Sequence, residues 1–163
     1  MKYRWIKFDL DGMIFKLKVY GFEAYNDWVK TSWRIKFEDI FLYERDNEEV
    51  FSKDCIDYLI SNLKNHLDNK IRKVKTITFF EPDFEFVFRP QEKQYDGLTN
   101  KELEDIVDVR MEMNVYFWHR GATLNHISTS FERKEIQKFY DYLVETRNKG
   151  RRKCKYTNFD KKC

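Results

Sequence analysis

The chain has 163 residues, with 31 Lys and Arg, 28 Asp and Glu, 3 His, 3 Cys, 5 Gly and 2 Pro, and 42% of it is apolar. A chain of this size can bury about 70% of the surface its unfolded form exposes, so a packed core is expected and wholesale disorder and collagen-like architectures are excluded. No stretch approaches the roughly 18 apolar residues of a membrane helix, and Met1–Leu10 alternates charged and aromatic residues, unlike a secretory signal. Three cysteines do not make a disulfide framework, so a cytoplasmic location is expected.

The net charge of +3 averages two unlike parts. From Arg147 to Cys163 eight Lys or Arg face a single acid, Asp160, a balance of +7. The preceding residues carry 23 bases and 27 acids, a balance of −4. The reading is one α+β domain over residues 1–146 followed by a basic tail over 147–163.

In chain order, Ile6, Phe8 and Leu10 alternate with Lys7 and Asp9. Beyond Asp11-Gly12, Met13, Phe15, Leu17 and Val19 alternate with Ile14, Lys16 and Lys18. Two period-two runs around Asp-Gly predict a β-hairpin, because that dipeptide tolerates the positive φ of a tight turn. Ser32–Tyr43 reads as a third strand, with Trp33, Ile35 and Phe37 on one face. Its phase slips at Glu38-Asp39, where Ile40 and Leu42 take over, and a bulge is the simplest account. Residues 44–49 read as a polar loop. From Ser52 to Asn69 the spacing becomes helical: Cys55, Ile56, Leu59, Leu63 and Leu67 form one stripe, Ser52 is the expected N-cap, and Asp54 sits in the first turn.

Strands resume at Val74–Phe80 and, after a turn at Glu81-Pro82-Asp83, at Phe84–Arg89. Residues 91–103 read as a loop, in which Thr99 and Glu102 are placed to cap a short helical turn. The longest strand signal puts Val107, Val109, Met111, Met113, Val115 and Phe117 on one face. Arg120-Gly121 turns the chain into a strand over Thr123–Phe131, and a second amphipathic helix is expected over about Arg133–Thr146. The predicted order is βββα-ββββα: an antiparallel β-sheet assembly of about seven strands with two amphipathic helices, an α+β fold.

Asp9-x-Asp11-Gly12 resembles the signature of haloacid-dehalogenase-like phosphotransferases, which implies a Mg²⁺-dependent phosphohydrolase with two carboxylates as nucleophile and general acid/base. The context argues for a hairpin turn instead, because the upstream run alternates with charge where a buried parallel strand would be continuously apolar. His119, His126, Cys154 and Cys163 make a zinc set only on paper, since their spacings match no compact metal knuckle; His66, on the polar side of the first helix, reads as a surface residue. Cys55 reads as a small buried hydrophobe. No metal, cofactor or catalytic residue is expected. In the tail, Tyr156 and Phe159 interleave with bases, an arrangement that would serve nucleic acid, though an acidic body opposes it. No membrane partner is expected.

Two candidate surfaces remain. Glu38, Asp39, Glu44, Asp46, Glu48 and Glu49 crowd into twelve residues with Arg45 as the only base, an anion patch suited to a basic protein partner. The second face of the long strand, with Asp108, Arg110, Glu112, Tyr116 and Trp118, carries side-chain types that anchor interfaces.

Asn26-Asp27-Trp28-Val29 ahead of a strand, Glu81-Pro82-Asp83-Phe84-Glu85-Phe86 after a helix, and a long alternating strand leading through a turn to a strand and a closing helix over Glu132–Val144 together resemble the WapI-type immunity proteins of bacterial polymorphic-toxin systems. The resemblance covers roughly residues 13–146; the loop at 91–103 and the tail depart from it. It implies a small cytoplasmic protein without catalytic residues that neutralises a toxin domain by binding and occluding it, and the acidic body suits a basic toxin domain.

Overall fold

The computed structural model describes residues 3–10, 12–20, 27–79, 83–90, 110–118 and 122–157. The fold is α+β, and the described residues form two helices and two four-stranded antiparallel sheets. The elements are β1 (Ile6–Leu10), β2 (Met13–Val19), β3 (Trp28–Phe37), β4 (Phe41–Ser52), α1 (Lys53–Leu67), β5 (Lys75–Thr78), β6 (Phe84–Phe88), β7 (Met111–Trp118), β8 (Ala122–Phe131) and α2 (Arg133–Thr157). The chain divides into two compact units, residues 1–60 with 138–163, and residues 61–137. The boundary divides α1 near its middle, after Ile60, and leaves only the first five residues of α2 in the second unit. No helix among the described residues is long and apolar enough to cross a membrane.

In the first unit the strands run in the order β1-β2-β3-β4. The Asp-Gly hairpin is present: Leu10 pairs with Met13 and Gly12 takes φ 84°. Asp11 itself lies outside the described residues. Period-two alternation then dictates the core. Ile6, Phe8, Leu10, Met13, Phe15, Leu17, Val19, Trp33 and Ile35 are all buried on one face. Phe139 of α2 meets the Phe8 ring edge-on, with centroids 5.9 Å apart. The Tyr142 hydroxyl, on the same helix, accepts the Val19 N–H at 2.8 Å and donates to the Arg4 carbonyl at 3.1 Å. It thereby satisfies backbone groups that the short β1 leaves unpaired.

The described residues hold eight strands where about seven are expected, and the difference lies at Glu38-Asp39. The phase slip there is a turn, not a bulge: Glu38 adopts φ 45°, and the Ile40 N–H returns to the Phe37 carbonyl at 3.2 Å. What reads as a polar loop over 44–49 is the middle of β4. It can be almost wholly polar because it is the sheet edge, where charge is the usual protection against further pairing. β4 carries two register shifts against β3, and Asn47 sits at φ 59° in one of them. There the Ser32 hydroxyl bonds the Asp46 carboxylate and accepts the Asn47 N–H.

Helix α1 begins where the sequence places it: the Ser52 hydroxyl accepts the Cys55 N–H at 3.1 Å, the bond an N-cap makes to the third helical residue. It ends in a Schellman motif. Asn69 takes φ 55° and donates to the His66 carbonyl, while the Lys70 N–H reaches the Asn65 carbonyl at 2.8 Å. Arg133 adds both terminal nitrogens to the Leu67 carbonyl, at 3.0 and 2.9 Å.

In the second unit the order is β5-β6-β7-β8. Ile77, Phe84, Phe86, Phe88, Met111, Met113, Val115 and Phe131 are buried on one face. His66, expected at the surface, is buried against it; its ring meets Phe88 edge-on at 5.4 Å. Its Nε2–H donates to the Arg110 carbonyl at 3.1 Å, so the imidazole has a partner where it has lost water. The turn residues Glu81-Pro82, the loop 91–103 with Thr99 and Glu102, Val107 and Val109, and the Arg120-Gly121 turn lie outside the described residues. Helix α2, expected to end near Thr146, continues to Thr157. Its Glu135 carboxylate reaches back to the Glu132 N–H at 3.2 Å, half of a capping box.

Candidate functional site

The six acids of the first candidate surface fall on the β3–β4 hairpin, opposite a strand of alternating cations. Register sets Arg34 across from Glu44, and they pair at 3.0 Å. Lys36 reaches Asp39 at 3.1 Å, and Arg45 holds Glu48 at 2.9 Å. Asp46 is bound by Ser32 and by the Asn47 amide, and Glu49 faces Lys30 in register. Only Glu38, at the turn, has no such contact among the described residues. The acids are thus largely balanced within the hairpin, and what the hairpin leaves uncompensated is apolar. Ile40 is 79% exposed and Leu42 62%, with Phe37 at 42% and Phe41 at 38%.

Strand geometry explains why the tip is apolar on both sides. Phe37 pairs with Phe41 on the face that holds Trp33 and Ile35, but both stay partly exposed there. Leu42 pairs with Lys36 on the opposite face, and Ile40 stands in the turn. Four large apolar side chains in six residues at a hairpin end are more than scattered surface hydrophobics, and contiguous apolar patches of this kind mark interaction sites. The alternation makes Ile40 and Leu42 take over the strand pattern after a bulge at Glu38-Asp39; the turn found there instead leaves both of them largely exposed.

A second feature of this unit is the outer face of the sheet. Lys7, Lys16 and Arg34 form one cross-strand row. Lys18 lies over the Tyr20 ring at 4.4 Å, and Arg34 over Trp5 at 5.2 Å. These bases stand at outward positions of the first three strands, so the signal was present in the alternation, but each is visible only as an individual base until the register aligns them.

The second candidate surface is built differently. Glu112 takes two bonds from Arg89, at 2.7 and 3.0 Å, which hold its carboxyl below the usual range. Glu85 accepts from Asn114 at 2.7 Å and from Thr78 at 3.2 Å, and Ser128 donates to Asn114 at 2.7 Å. The Tyr116 ring lies 5.0 Å from His126, and desolvation, then the Glu85 charge, push its phenol up. Arg110 is exposed and its carbonyl holds His66. Asp108 and the side chain of Trp118 lie outside the described residues. The polar groups of this face answer one another.

Asp9 stands outward on β1, beside Lys7 at 3.6 Å, with most of its carboxylate in water. Cys55 is a free thiol, half-buried rather than enclosed. His126 is exposed; His119, Phe159 and Cys163, and the side chains of Cys154 and Tyr156, lie outside the described residues. Among the described residues no group of three or more His, Cys, Asp or Glu side chains is placed to hold a metal ion. Of the motif residues that resemble the immunity proteins, Asp27 precedes β3 and its carbonyl accepts the Lys53 N–H at 2.9 Å, while Asp83 opens β6 and its carbonyl accepts the Tyr116 N–H at 3.0 Å; Asn26, Glu81 and Pro82 lie outside the described residues. No protein-family model matches the chain, and no significant match is found among curated proteins.

Proposed function

We propose that the chain is a non-catalytic binding protein of the immunity type, which acts in the cytoplasm by covering the surface of a toxin domain. The observation that supports this reading is the exposed tip of the β3–β4 hairpin. Phe37, Ile40, Phe41 and Leu42 offer a compact apolar anchor, and Glu38 and Asp39 sit beside it at the turn. An interface of this kind draws most of its energy from a few apolar and aromatic anchors that fill a pocket, while rim charges set approach and register. The partner that fits is a protein with an apolar recess edged by Lys or Arg. The balanced acids farther along β4 contribute less, because their charge is already met by β3.

The test is co-expression with a toxin domain encoded by a neighbouring gene. Wild-type chain should co-purify with the toxin and protect the host cell. Ile40→Asp with Leu42→Asp should abolish both while the free protein keeps its circular dichroism spectrum. Undiminished protection by the double variant would place the binding surface elsewhere.

A further inference from the structure

The second unit carries a basic cleft that the binding reading does not use. It is open, has a volume of about 520 Å³, and lies between the end of α1 and the segment leading into β5. Asn62 and Asn65 line its helical side, and Lys70, Arg72, Lys73 and Lys75 line the other. We infer that this cleft binds a small ligand carrying two or more linked phosphates.

The geometry follows from the way α1 ends. The Schellman turn at Asn69 reverses the chain, so that the run after Lys70 passes back beside the last turns of the helix. Asp68 holds one of the lining lysines: its carboxylate takes Lys64 at 2.7 Å and Lys70 at 2.9 Å, and both contacts hold its pKa below the ordinary range. That single acid is outnumbered. No acid lines the cleft, and Arg72 and Lys73 are exposed and make no ion pair among the described residues. Adjacent cations such as Arg72 and Lys73 repel one another, and a bound polyanion removes that repulsion.

Every polar side chain at the cleft can donate. Lysines supply point charges, Arg72 a planar fork suited to phosphate oxygens, and the two asparagines amide N–H groups. The volume falls in the range of small-molecule sites, roughly 300–1,000 Å³, which suits a nucleotide-sized ligand better than a macromolecular groove. A single phosphate would meet only part of the donor set; linked phosphates span it. The inference is independent of the immunity reading.

The experiment is calorimetric titration of the full chain, at low and moderate salt, with orthophosphate, pyrophosphate, tripolyphosphate and ATP. Pyrophosphate and tripolyphosphate should bind at least about tenfold more tightly than orthophosphate, and more weakly as salt rises. Arg72→Ala with Lys73→Ala should weaken binding by about tenfold or more, as expected for lost charge-assisted contacts, with the fold intact because both side chains are exposed. The charge-preserving pair Arg72→Lys with Lys73→Arg should restore most of it, and Lys16→Ala with Lys18→Ala, on the sheet of the first unit, should leave it unchanged. ATP binding tighter than tripolyphosphate identifies a nucleotide as the ligand; equal affinities identify the phosphates alone, and either result supports the site. Absence of binding, or binding unaffected by Arg72→Ala with Lys73→Ala, overturns it. So does a single-stranded oligonucleotide that binds far more tightly than ATP through the same residues, which would make the cleft part of a nucleic-acid surface.

Discussion

The two sheets have the same topology and opposite surfaces. Each is a four-stranded antiparallel meander in sequential order, with one face packed by helix. On the second sheet the solvent face closes on itself: Thr78, Glu85, Asn114 and Ser128 form one chain of hydrogen bonds, and Arg89 and Glu112 form a bidentate pair. On the first sheet the charges also find partners, but the hairpin tip leaves Ile40 and Leu42 largely in water. A face whose groups are mutually satisfied has little to gain from a partner. A tip that keeps apolar surface exposed gains from every square ångström it covers. Shared topology thus does not make the two solvent sides alike; what each leaves unsatisfied does.

The comparison is sharpened first where the sheets should behave alike. Phe15 and Phe86 occupy equivalent core positions on the second strands of their sheets and are buried. Phe15→Ala and Phe86→Ala should each cost about 3–5 kcal/mol, since each removes a large side chain and leaves a cavity. Urea denaturation followed by tryptophan fluorescence and circular dichroism measures both. A cost below about 1 kcal/mol at either site would show that its sheet is not packed as described.

The next effect belongs to the first sheet alone. Tyr142→Phe keeps the ring but removes the hydroxyl that joins Val19 to Arg4. The Val19 N–H then stays buried without its partner, at a cost of about 1–3 kcal/mol in the same denaturation assay. A stability equal to wild type would mean that the hydroxyl is replaceable by water.

The second sheet has its own signature, in pH. Burial, chiefly, and then the Arg133 charge lower the pKa of His66, against the opposing bond to the Arg110 carbonyl. The unfolded chain therefore takes up the proton more readily than the folded one. Stability is complete above the ordinary histidine value of about 6.5 and falls as pH drops through it toward the folded value. His66→Gln should flatten this part of the urea-midpoint profile between about pH 7.5 and pH 5. Equal slopes for variant and wild type would assign the acid sensitivity to other groups.

Much of this architecture was legible. The Asp-Gly hairpin, the period-two cores of β1, β2, β6 and β7, and the Ser52 cap follow from spacing and residue chemistry, because each depends on neighbours in sequence. The missing strand was not legible, because β4 draws its stability from pairing with β3 rather than from an apolar alternation of its own. The burial of His66 was hidden for a similar reason: its helical position looks polar until Phe88 and the Arg110 carbonyl arrive from the other strands. For the candidate surfaces, the run of acids was plain, but its neutralisation by Arg34, Lys36 and Arg45 depends on register. The exposed Ile40 and Leu42 were concealed by the one turn that reads as a bulge.

The smallest expected stability effect carries the comparison furthest. If the tip is exposed for binding, it contributes little to folding, so Ile40→Ser with Leu42→Ser should shift the urea midpoint by no more than about 0.5 kcal/mol, the range of ordinary surface changes. The contrast with Phe15→Ala is the informative quantity, because all three side chains are large hydrophobes of the first unit and they differ in exposure. A cost approaching that of the core variant would mean that the tip packs against something when the protein is free in solution. A self-association equilibrium is the simplest source, and the apparent cost would then grow with protein concentration. A small and concentration-independent cost leaves the apolar tip without a folding role, which is the condition a dedicated contact surface must meet.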